Sequence, residues 1–404
     1  MAPPGPRSDR GRWGLLALVT GAHTLGAVSV LAVAPLAPLL LEDLHLTRAQ
    51  VGLFLPAIYL GGVVMSLPAG WLTDRFGARL TLAAGQCVTG ALVALAAEAD
   101  RLSLMLVCLF VGGLGWAVVN PATGRAILER FPARERGFAM GIKQTGLTLG
   151  GIGASLTLPA VALAYGWRVA LTAAAFASLA AAAGGFALMP RDHARHGAGV
   201  AEPARFSELG RFLGNRSLLV LLASGLALGM AQASVLAYLA LFARERLGLT
   251  VVAAGGLLAL VQAGGTGSRL AWGIISDRFF GGRRRPCVII NSVIGGASYL
   301  VFASAVALPL PVVGAVAVVA GAGAFGWVGL FLALAAEVGG HRYAGLLTGV
   351  AVSFAWSGVL LGPPLFGALL QATGTYGVPW LVLALLAFAA AIALAGIRPL
   401  VKRE

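Results

Sequence analysis

The sequence GWLTDRFGAR at Gly70–Arg79 decides the fold, because it is a charged turn between two long apolar runs and it occurs a second time. The second copy, GIISDRF at Gly273–Phe279, begins 203 positions after the first in a chain of 404 residues. Self-similarity at a fixed offset is typical of a duplicated structural unit. The sequence therefore predicts a protein made of two related halves.

The composition excludes a water-soluble protein. Hydrophobic residues make up 59% of the chain, charged residues 11%, and the mean hydropathy is +0.89, whereas a soluble domain has about 25% charged residues. Apolar runs of about 20 residues, long enough to cross a bilayer, recur along the whole length. We therefore expect a polytopic helical membrane protein, in which the net charge of +14 follows the membrane topology and does not indicate nucleic-acid binding.

Basic residues are concentrated on one side of the predicted topology. If the N-terminus is cytoplasmic, 22 of the 29 Lys and Arg lie in the N-terminal arm, the even-numbered connections and the C-terminal tail. Five lie on the opposite side, and the remaining two lie within apolar segments. Because cytoplasmic loops carry the excess of Lys and Arg, we expect both termini in the cytoplasm and the chain in a plasma membrane, such as a prokaryotic inner membrane.

Apolar periodicity predicts twelve spans, six on each side of a polar linker. The first six are about 14–40, 49–71, 79–98, 102–124, 137–161 and 167–189, and the second six about 217–242, 251–273, 287–307, 310–334, 344–369 and 377–397. The domains expected are a disordered cytoplasmic arm at 1–13, six-helix bundles at 14–189 and 217–397, a cytoplasmic linker at 190–216 and a tail at 398–404. Two facing bundles can give alternating access to a site at the membrane midplane.

Gly70–Arg79 resembles the signature of the major facilitator superfamily, Gly-x-Leu-x-Asp-Arg-x-Gly-Arg-Arg, which joins the second and third helices of that family. The sequence departs from the signature at Ala78, which replaces the first of the two closing basic residues. The resemblance covers nearly the whole chain. It implies an all-α membrane protein with twelve transmembrane helices in two pseudo-symmetric six-helix bundles, the major facilitator fold.

The same resemblance implies that the signature and its second copy form a conformational gate. Asp74 is then expected to join a charge network with Arg75, Arg79 and Glu129. The full set of expected gate residues is Gly70, Asp74, Arg75, Gly77, Arg79, Glu129, Asp277 and Arg278.

A second stretch, RFPARERGFAMG at Arg130–Gly141, resembles the Phe-Pro-x-x-Glu-Arg-Gly-x-Ala-x-Gly entry to helix five of organic-anion-transporting and related branches of the superfamily. Pro132 ends one helix. Gly137 and Gly141 have the small-xxx-small spacing that lets two helices approach closely. We therefore expect helix five to pack against a neighbour through these two glycines.

Two cations within predicted spans are candidates for substrate binding, because a charged side chain in a bilayer costs about 2.5–3.5 kcal/mol on insertion scales. Lys143 in helix five either extends to the cytoplasmic interface or faces a central cavity, flanked by Gln144. Arg269 in helix eight shares one helical face with Gln262 and Thr266, which precede it by seven and three residues.

A planar guanidinium such as that of Arg269 suits bidentate capture of a carboxylate. The run RLAWG followed by Ser276-Asp277 also resembles helix eight of the monocarboxylate and oxalate transporters, where the corresponding Arg binds the substrate carboxylate. Those transporters often place an acid one turn earlier, where this chain has Gly265. The alternative roles for Arg269 are a cytoplasmic gate and a structural ion pair.

His23 in helix one is either a hydrogen-bonded structural imidazole or a group that takes part in proton coupling or substrate contact. Every Asp and Glu lies at a predicted membrane edge or in a loop, which disfavours a buried acid as proton carrier. Further candidates for the cavity lining are polar and aromatic residues within spans: Tyr59, Asn120, Gln232, Tyr238 and Trp356. Asn120-Pro121 is expected to break helix four, and Pro363-Pro364 to kink helix eleven.

The main functional hypothesis is a secondary transporter that moves a small organic anion, a carboxylate, as in the organic-anion and monocarboxylate branches of the superfamily. The alternative is an exporter of drugs or amphipathic metabolites driven by proton antiport, and a third is a receptor or scaffold. No phosphate-binding loop, zinc-type His pair or nucleophile elbow occurs. We therefore expect no enzyme activity, no cofactor and no metal. The partners expected are the anion, the lipid bilayer and a coupling proton, with the protein as a monomer.

Overall fold

The computed structural model describes residues 9–190, 214–304 and 308–396, and every regular element in these ranges is an α-helix. The fourteen described helices are α1 (Asp9–Leu31), α2 (Val33–Asp43), α3 (Arg48–Val51), α4 (Phe54–Ala97), α5 (Leu102–Ala117), α6 (Val119–Arg130), α7 (Ala133–Tyr165), α8 (Trp167–Leu188), α9 (Arg216–Glu245), α10 (Val251–Phe279), α11 (Arg284–Ala303), α12 (Leu310–Phe325), α13 (Trp327–Thr373) and α14 (Gly377–Gly396).

The predicted tail, most of the predicted linker and the first eight residues of the predicted arm lie outside the described residues. The last part of the arm was expected to be disordered, but α1 already begins at Asp9. Arg12 forms an ion pair with Glu135 at 3.0 Å, and the Trp13 ring meets the Phe131 ring edge-on at 5.5 Å. These contacts with residues around the start of α7 explain why the helix begins earlier than its apolar run.

Eleven segments among the described residues are long and apolar enough to span a membrane. The second of them, Arg48–Ala97, has 50 residues, which at about 1.5 Å per residue is more than twice the thickness of a hydrocarbon core. It is interrupted at Gly77, where φ is 82° and ψ is 164°, a conformation that only glycine adopts readily. This segment therefore contains the second and third predicted spans, and the twelve-helix fold is confirmed.

The fourth span of each half is broken. α5 ends at Ala117 and α6 begins at Val119, because Pro121 lacks the N–H that would bond to the carbonyl of Ala117. The tenth predicted span is also broken, between α12 and α13, at Gly326. A Cβ at Gly326 would lie 2.6 Å from the side-chain oxygen of Asn291, so the tight packing at this break requires glycine.

α13 departs from the prediction at its centre. The connection expected between residues 334 and 344 is helical, so α13 extends from the tenth predicted span through the eleventh. The helix also continues through Pro363 and Pro364.

The helices group into two units. The first contains the chain up to His45 and from Ala57 to the central linker, and the second contains Leu46–Pro56 and the chain after the linker. A contiguous boundary at the linker was expected, and Leu46–Pro56 groups with the second unit. The reason is local packing: α3, which starts at a capping box formed by Thr47 and Gln50, contacts α13.

Polar contacts attach α3 to the rest of the second unit. Arg48 Nε donates to the Glu245 carboxylate at 2.8 Å, and the Tyr376 hydroxyl donates to the same carboxylate oxygen at 2.9 Å. The Tyr238 hydroxyl donates to the backbone carbonyl of Arg48 at 2.8 Å. Burial and the neighbouring Glu245 raise the pKa of Tyr376 well above its ordinary value, so this hydroxyl keeps its proton and remains a donor.

Close helix crossings hold each unit together. In the first unit, a Cβ at Gly146 or Gly150 of α7 would lie 2.8 or 2.3 Å from a carbonyl oxygen of α1. Gly137 and Gly141, which were expected to form this contact, have nothing within 4 Å of a Cβ among the described residues. The expected contact through Gly137 and Gly141 is therefore wrong, and the contacting glycines lie about two and a half turns further along α7.

Candidate functional site

Lys143 lies inside the first unit with 1% of its surface exposed. Its ammonium donates to the side-chain oxygen of Asn120 at 2.8 Å, directly beside the break between α5 and α6. Asn120 itself is exposed. Of the two alternatives for Lys143, extension to the interface does not fit this burial, because the side chain is covered by its own unit.

The acceptor of this hydrogen bond, the amide oxygen of Asn120, carries no charge. No carboxylate lies within 4.0 Å of the Lys143 ammonium in the part of the chain that the structure describes. Removing one partner from a buried ion pair costs about 3–5 kcal/mol, because the charge that is left is uncompensated. A buried ammonium with only an amide oxygen is accordingly a position where an anion would be stabilised.

His23 is fully buried in α1, with 0% of its surface exposed. Neither of its ring nitrogens has a hydrogen-bond partner among the described residues. Its ring meets the Trp116 ring edge-on at 5.2 Å. The structure does not show the hydrogen-bonded imidazole that was one of the two alternatives for this residue.

The other candidates of the first unit lie nearby in sequence but are more open. Gln144 follows Lys143 and is half-buried, and Tyr59 in α4 is also half-buried. Among these candidates, Lys143 and Asn120 are joined by a hydrogen bond. His23 lies on α1, the helix that α7 crosses at Gly146.

Arg269 lies on α10 in the second unit. Its Nε donates to the backbone carbonyl of Phe325 at 3.2 Å, and its guanidinium lies 5.6 Å from the centre of the Phe325 ring. Phe325 is the last residue of α12, so the positive charge stands at the negative end of a helix. Each intramembrane cation thus bonds at the break in the fourth span of its own unit.

The polar stripe on α10 is present as predicted from its spacing, since α10 is helical throughout. Gln262 is 3% exposed, and its backbone carbonyl accepts from the Thr266 hydroxyl at 2.9 Å. Of the remaining candidates in this unit, Gln232 and Trp356 are half-buried. Tyr238 is fully buried and stacked on Phe366 at 4.5 Å. Its hydroxyl bonds to the carbonyl of Arg48, so this residue fits a structural role better than a cavity lining.

Arg125 organises the Gly70–Arg79 motif, although it was not among the gate residues expected from the sequence. Its guanidinium donates to the backbone carbonyl of Thr73 at 2.8 Å, to Asp74 at 3.2 Å and to Glu129 at 2.8 Å. The expected partners of Asp74 were Arg75, Arg79 and Glu129. Glu129 does belong to the network, but through Arg125. A cation four residues before Glu129 on a helix is the signal that could have identified it.

The other basic residues of the motif contact aromatic rings. The guanidinium of Arg75 lies 5.3 Å from the centre of the Trp71 ring, and that of Arg79 lies 4.5 Å from the Phe186 ring. Gly77 supplies the interruption of α4, whereas a Cβ at Gly70 would meet nothing within 4 Å among the described residues. Gly77 is therefore required by the backbone, and Gly70 is not required by local packing.

The second copy of the motif is built differently. Asp277 and Arg278 are exposed near the end of α10, and the position equivalent to Arg125, 203 residues later, is Val328. The ion pair of this region joins Arg284 of α11 to Glu337 of α13 at 2.9 Å. The two copies of the motif thus differ in the ion pairs that form around them.

Arg136 explains part of the Arg130–Gly141 motif. Its guanidinium donates to the backbone carbonyls of Leu128 and Phe131 at 2.9 and 3.0 Å. These carbonyls lie at the end of α6, where the helix itself offers no donors. The motif therefore ends one helix and starts the next.

The chain belongs to the Major Facilitator Superfamily, whose family model matches residues 19–359. An uncharacterised MFS-type transporter of Mycobacterium tuberculosis (strain CDC 1551 / Oshkosh) is 28% identical over 382 residues, which are 93% of this chain and 83% of the relative. The protein is a membrane protein of the transporter type, as the sequence predicted.

Some relatives have names that specify a substrate. A probable sulfoacetate transporter, SauU of Cupriavidus necator, is 27% identical over 390 residues, covering 90% of this chain and 88% of the relative. A hexuronate transporter of Escherichia coli (strain K12) is 28% identical over 159 residues, covering 39% of this chain and 37% of the relative. The chain is therefore similar to transporters named for organic anions.

Among solved structures, the nucleoside transporter NupG matches with a TM-score of 0.79 and 13% sequence identity, over 94% of this chain and 99% of that one. At this identity the likeness concerns the fold alone.

Proposed function

We propose that this protein is a secondary active transporter that moves a small organic anion, a carboxylate, across the plasma membrane by alternating access. The observation that carries the proposal is the buried Lys143 ammonium, whose hydrogen-bond partner among the described residues is the neutral amide oxygen of Asn120. Such a charge is costly in a membrane and is retained at functional sites. An anion would supply the missing compensation.

Asn120 gives the anion a path to Lys143. Because Asn120 is exposed and holds the buried ammonium, a carboxylate could accept from the ammonium and from the amide N–H of Asn120 together. A charge-assisted hydrogen bond is roughly twice as strong as a neutral one. The exchange of an amide oxygen for a carboxylate oxygen at Lys143 would therefore favour binding.

Arg269 is the second cation of the proposal. Its Nε bonds to the Phe325 carbonyl, and a planar guanidinium suits bidentate binding of a carboxylate. The half-buried side chain ends the stripe of Gln262 and Thr266, which offers further polar groups on one helix face. We propose Arg269 as the anion-binding residue of the second unit.

The relatives support the substrate class. Sulfoacetate carries a sulfonate and a carboxylate, and hexuronates are sugar carboxylates, so both names describe organic anions. The first experiment is a thermal-shift screen of the purified protein with sulfoacetate, galacturonate, small monocarboxylates and cationic dyes, since a ligand of the folded state raises its apparent stability.

Transport and binding by variants of Lys143 and Arg269 test the proposed roles of these residues. We expect Lys143→Ala and Arg269→Ala each to lower affinity for the anion about 10- to 100-fold, because a hydrogen bond to a charged group contributes about 1.5–3 kcal/mol. The measurement is uptake of radiolabelled anion into proteoliposomes, together with its equilibrium binding. Lys143→Arg, which keeps the charge, should retain more binding than Lys143→Ala.

Arg101→Ala is the matched control, because Arg101 is exposed in the loop before α5. It should bind and transport as the wild type does. Full transport by both Lys143→Ala and Arg269→Ala would remove the proposed site. A response to cationic dyes but to no anion would instead favour the drug-export alternative.

A further inference from the structure

The guanidinium of Arg269 is attached to the last turn of α12. Its Nε donates to the carbonyl of Phe325 at 3.2 Å, and its carbon lies 5.6 Å from the centre of the Phe325 ring. The two helices are in close contact here, because a Cβ at Gly265, one turn before Arg269 on α10, would lie 2.7 Å from the same ring. The position of the last turn of α12 therefore sets where the guanidinium lies.

Asn291 of α11 bonds to the same turn of α12 and also to α10. Its amide nitrogen donates to the carbonyl of Gly323, two residues before Phe325, at 2.8 Å. Its amide oxygen accepts from the indole of Trp272 on α10, also at 2.8 Å. An indole only donates and a carbonyl only accepts, so the amide can satisfy both in one orientation alone. Asn291 has 0% of its surface exposed, and both bonds are buried.

Glycines bring α11 and α12 close enough for this amide to reach the helix end. A Cβ at Gly323 would lie 2.3 Å from the Cα of Gly295 on α11, and a Cβ at Gly326 would lie 2.6 Å from the amide oxygen of Asn291. Packing at this density leaves the turn little freedom to shift. The amide of Asn291 thus joins the helix that carries Arg269 to the helix end that accepts its hydrogen bond.

We infer that Asn291 is a positioning residue, which orients Arg269 for binding the anion. By joining Gly323 to Trp272, the amide fixes the turn that bears the Phe325 carbonyl. This carbonyl in turn fixes the Nε edge of the guanidinium. Bidentate binding of a carboxylate requires a defined orientation of the guanidinium plane, because hydrogen bonds weaken steeply when they are misaligned. The inference rests on the proposed function, because it requires an anion at Arg269.

A purely structural role for Asn291 has a different consequence for binding. A buried amide that only joins three helices would contribute to the stability of the folded protein and leave the anion affinity of the folded protein unchanged. A residue that acts through Arg269 changes this affinity only while Arg269 is present. A double-mutant cycle of the two residues measures this dependence, because it isolates the interaction between them.

The experiment measures the binding of sulfoacetate and of galacturonate by calorimetry. The purified proteins are the wild type, Asn291→Leu, Arg269→Ala and the variant that carries both changes. Leucine has a branched side chain like that of asparagine but can make neither hydrogen bond. We expect Asn291→Leu to lower the affinity about 3- to 30-fold when Arg269 is present. When residue 269 is alanine, the same change should alter the affinity less than about 2-fold.

Ser292→Ala is the matched control, because Ser292 follows Asn291 on α11, is equally buried and bonds to the carbonyl of Val288 within its own helix. It should bind as the wild type does. Wild-type affinity in Asn291→Leu, an equal loss in both backgrounds, or an equal loss in Ser292→Ala would overturn the inference and leave the role of Arg269 intact. Wild-type affinity in Arg269→Ala, or binding of neither anion, would overturn the proposed role of Arg269 and the inference with it.

Trp272→Phe covers the case in which Asn291→Leu fails to fold. It removes the indole N–H that orients the amide, and it retains both Asn291 and an aromatic ring on α10. We expect an affinity loss of about 2- to 5-fold that again depends on Arg269. Wild-type affinity in Trp272→Phe, or the same loss when residue 269 is alanine, would then overturn the inference.

Discussion

At the scale of single residues, Arg125 and Asp74 form an unequal pair. The side chain of Arg125 is 17% exposed and bonds to three acceptors, one of them a backbone carbonyl, whereas that of Asp74 is 82% exposed. An exposed ion pair contributes about 0–1 kcal/mol. The stability of this region therefore depends on the arginine, and the aspartate is free to serve conformational exchange.

We predict that Arg125→Ala lowers the free energy of unfolding by about 1.5–3 kcal/mol, because it removes charge-assisted bonds to Thr73 and Glu129 as well as to Asp74. Asp74→Asn should lower it by less than about 1 kcal/mol, slow transport turnover and leave anion affinity nearly unchanged. Melting of the purified variants and transport kinetics check both statements. Equal destabilisation by the two changes, or a large loss of affinity in Asp74→Asn, would contradict them.

At the scale of helices, close crossings at glycine determine the packing of the second unit. A Cβ at Gly358 of α13 would lie 2.1 Å from the carbonyl oxygen of Leu226 on α9, and one at Gly362 would lie 2.4 Å from that of Met230. On α9, Gly229 meets the carbonyl of Ala355 in the same way. Small residues at such interfaces let helix backbones approach closely in a membrane, where hydrophobic burial drives association only weakly.

Two glycines on α13 allow the effect of this contact on stability to be distinguished from the effect of helix propensity. Gly358→Ala should destabilise the protein by about 1–3 kcal/mol, the usual effect of overpacking. Gly349→Ala on the same helix should be neutral or stabilising, because a Cβ there meets nothing within 4 Å among the described residues and alanine is the better helix former. Melting temperatures in detergent decide the matter, and a loss at Gly349 as large as at Gly358 would refute the packing argument.

At the scale of the whole molecule, the distribution of 29 basic residues makes a prediction about orientation. Arg101 lies in the loop before α5, on the sparsely charged side, and Arg283 lies beside Arg284 and Arg285 before α11, on the basic side. The excess of Arg and Lys faces the cytoplasm in most membrane proteins. The loop of Arg101 should accordingly be outside the cell.

Labelling with a membrane-impermeant maleimide tests the orientation, in a chain whose Cys87, Cys108 and Cys287 are replaced by alanine. Arg101→Cys should react in intact cells, and Arg283→Cys should react only after the membrane is opened. Reaction of Arg283→Cys in intact cells would reverse the assigned topology and place both termini outside.

The sequence by itself determined the class of fold, because a bilayer about 30 Å thick demands long apolar helices whatever their neighbours are. It also determined the break before Asn120-Pro121, which is a local backbone effect, and it identified Lys143 and Arg269, because a charge within an apolar run is recognisable without a structure. The exact helix ends at Asp9 and within α13 were missed, since they depend on contacts with other helices.

Only the tertiary structure decided which groups meet. It bonded Lys143 to Asn120, joined Asp74 to Arg125, moved the close contact of α7 from Gly137 and Gly141 to Gly146 and Gly150, and assigned Leu46–Pro56 to the second unit. The physical reason is that periodicity specifies the face of a helix but not the angle or register at which two helices cross. The buried ammonium of Lys143 and the amide oxygen of Asn120 meet only once that register is fixed.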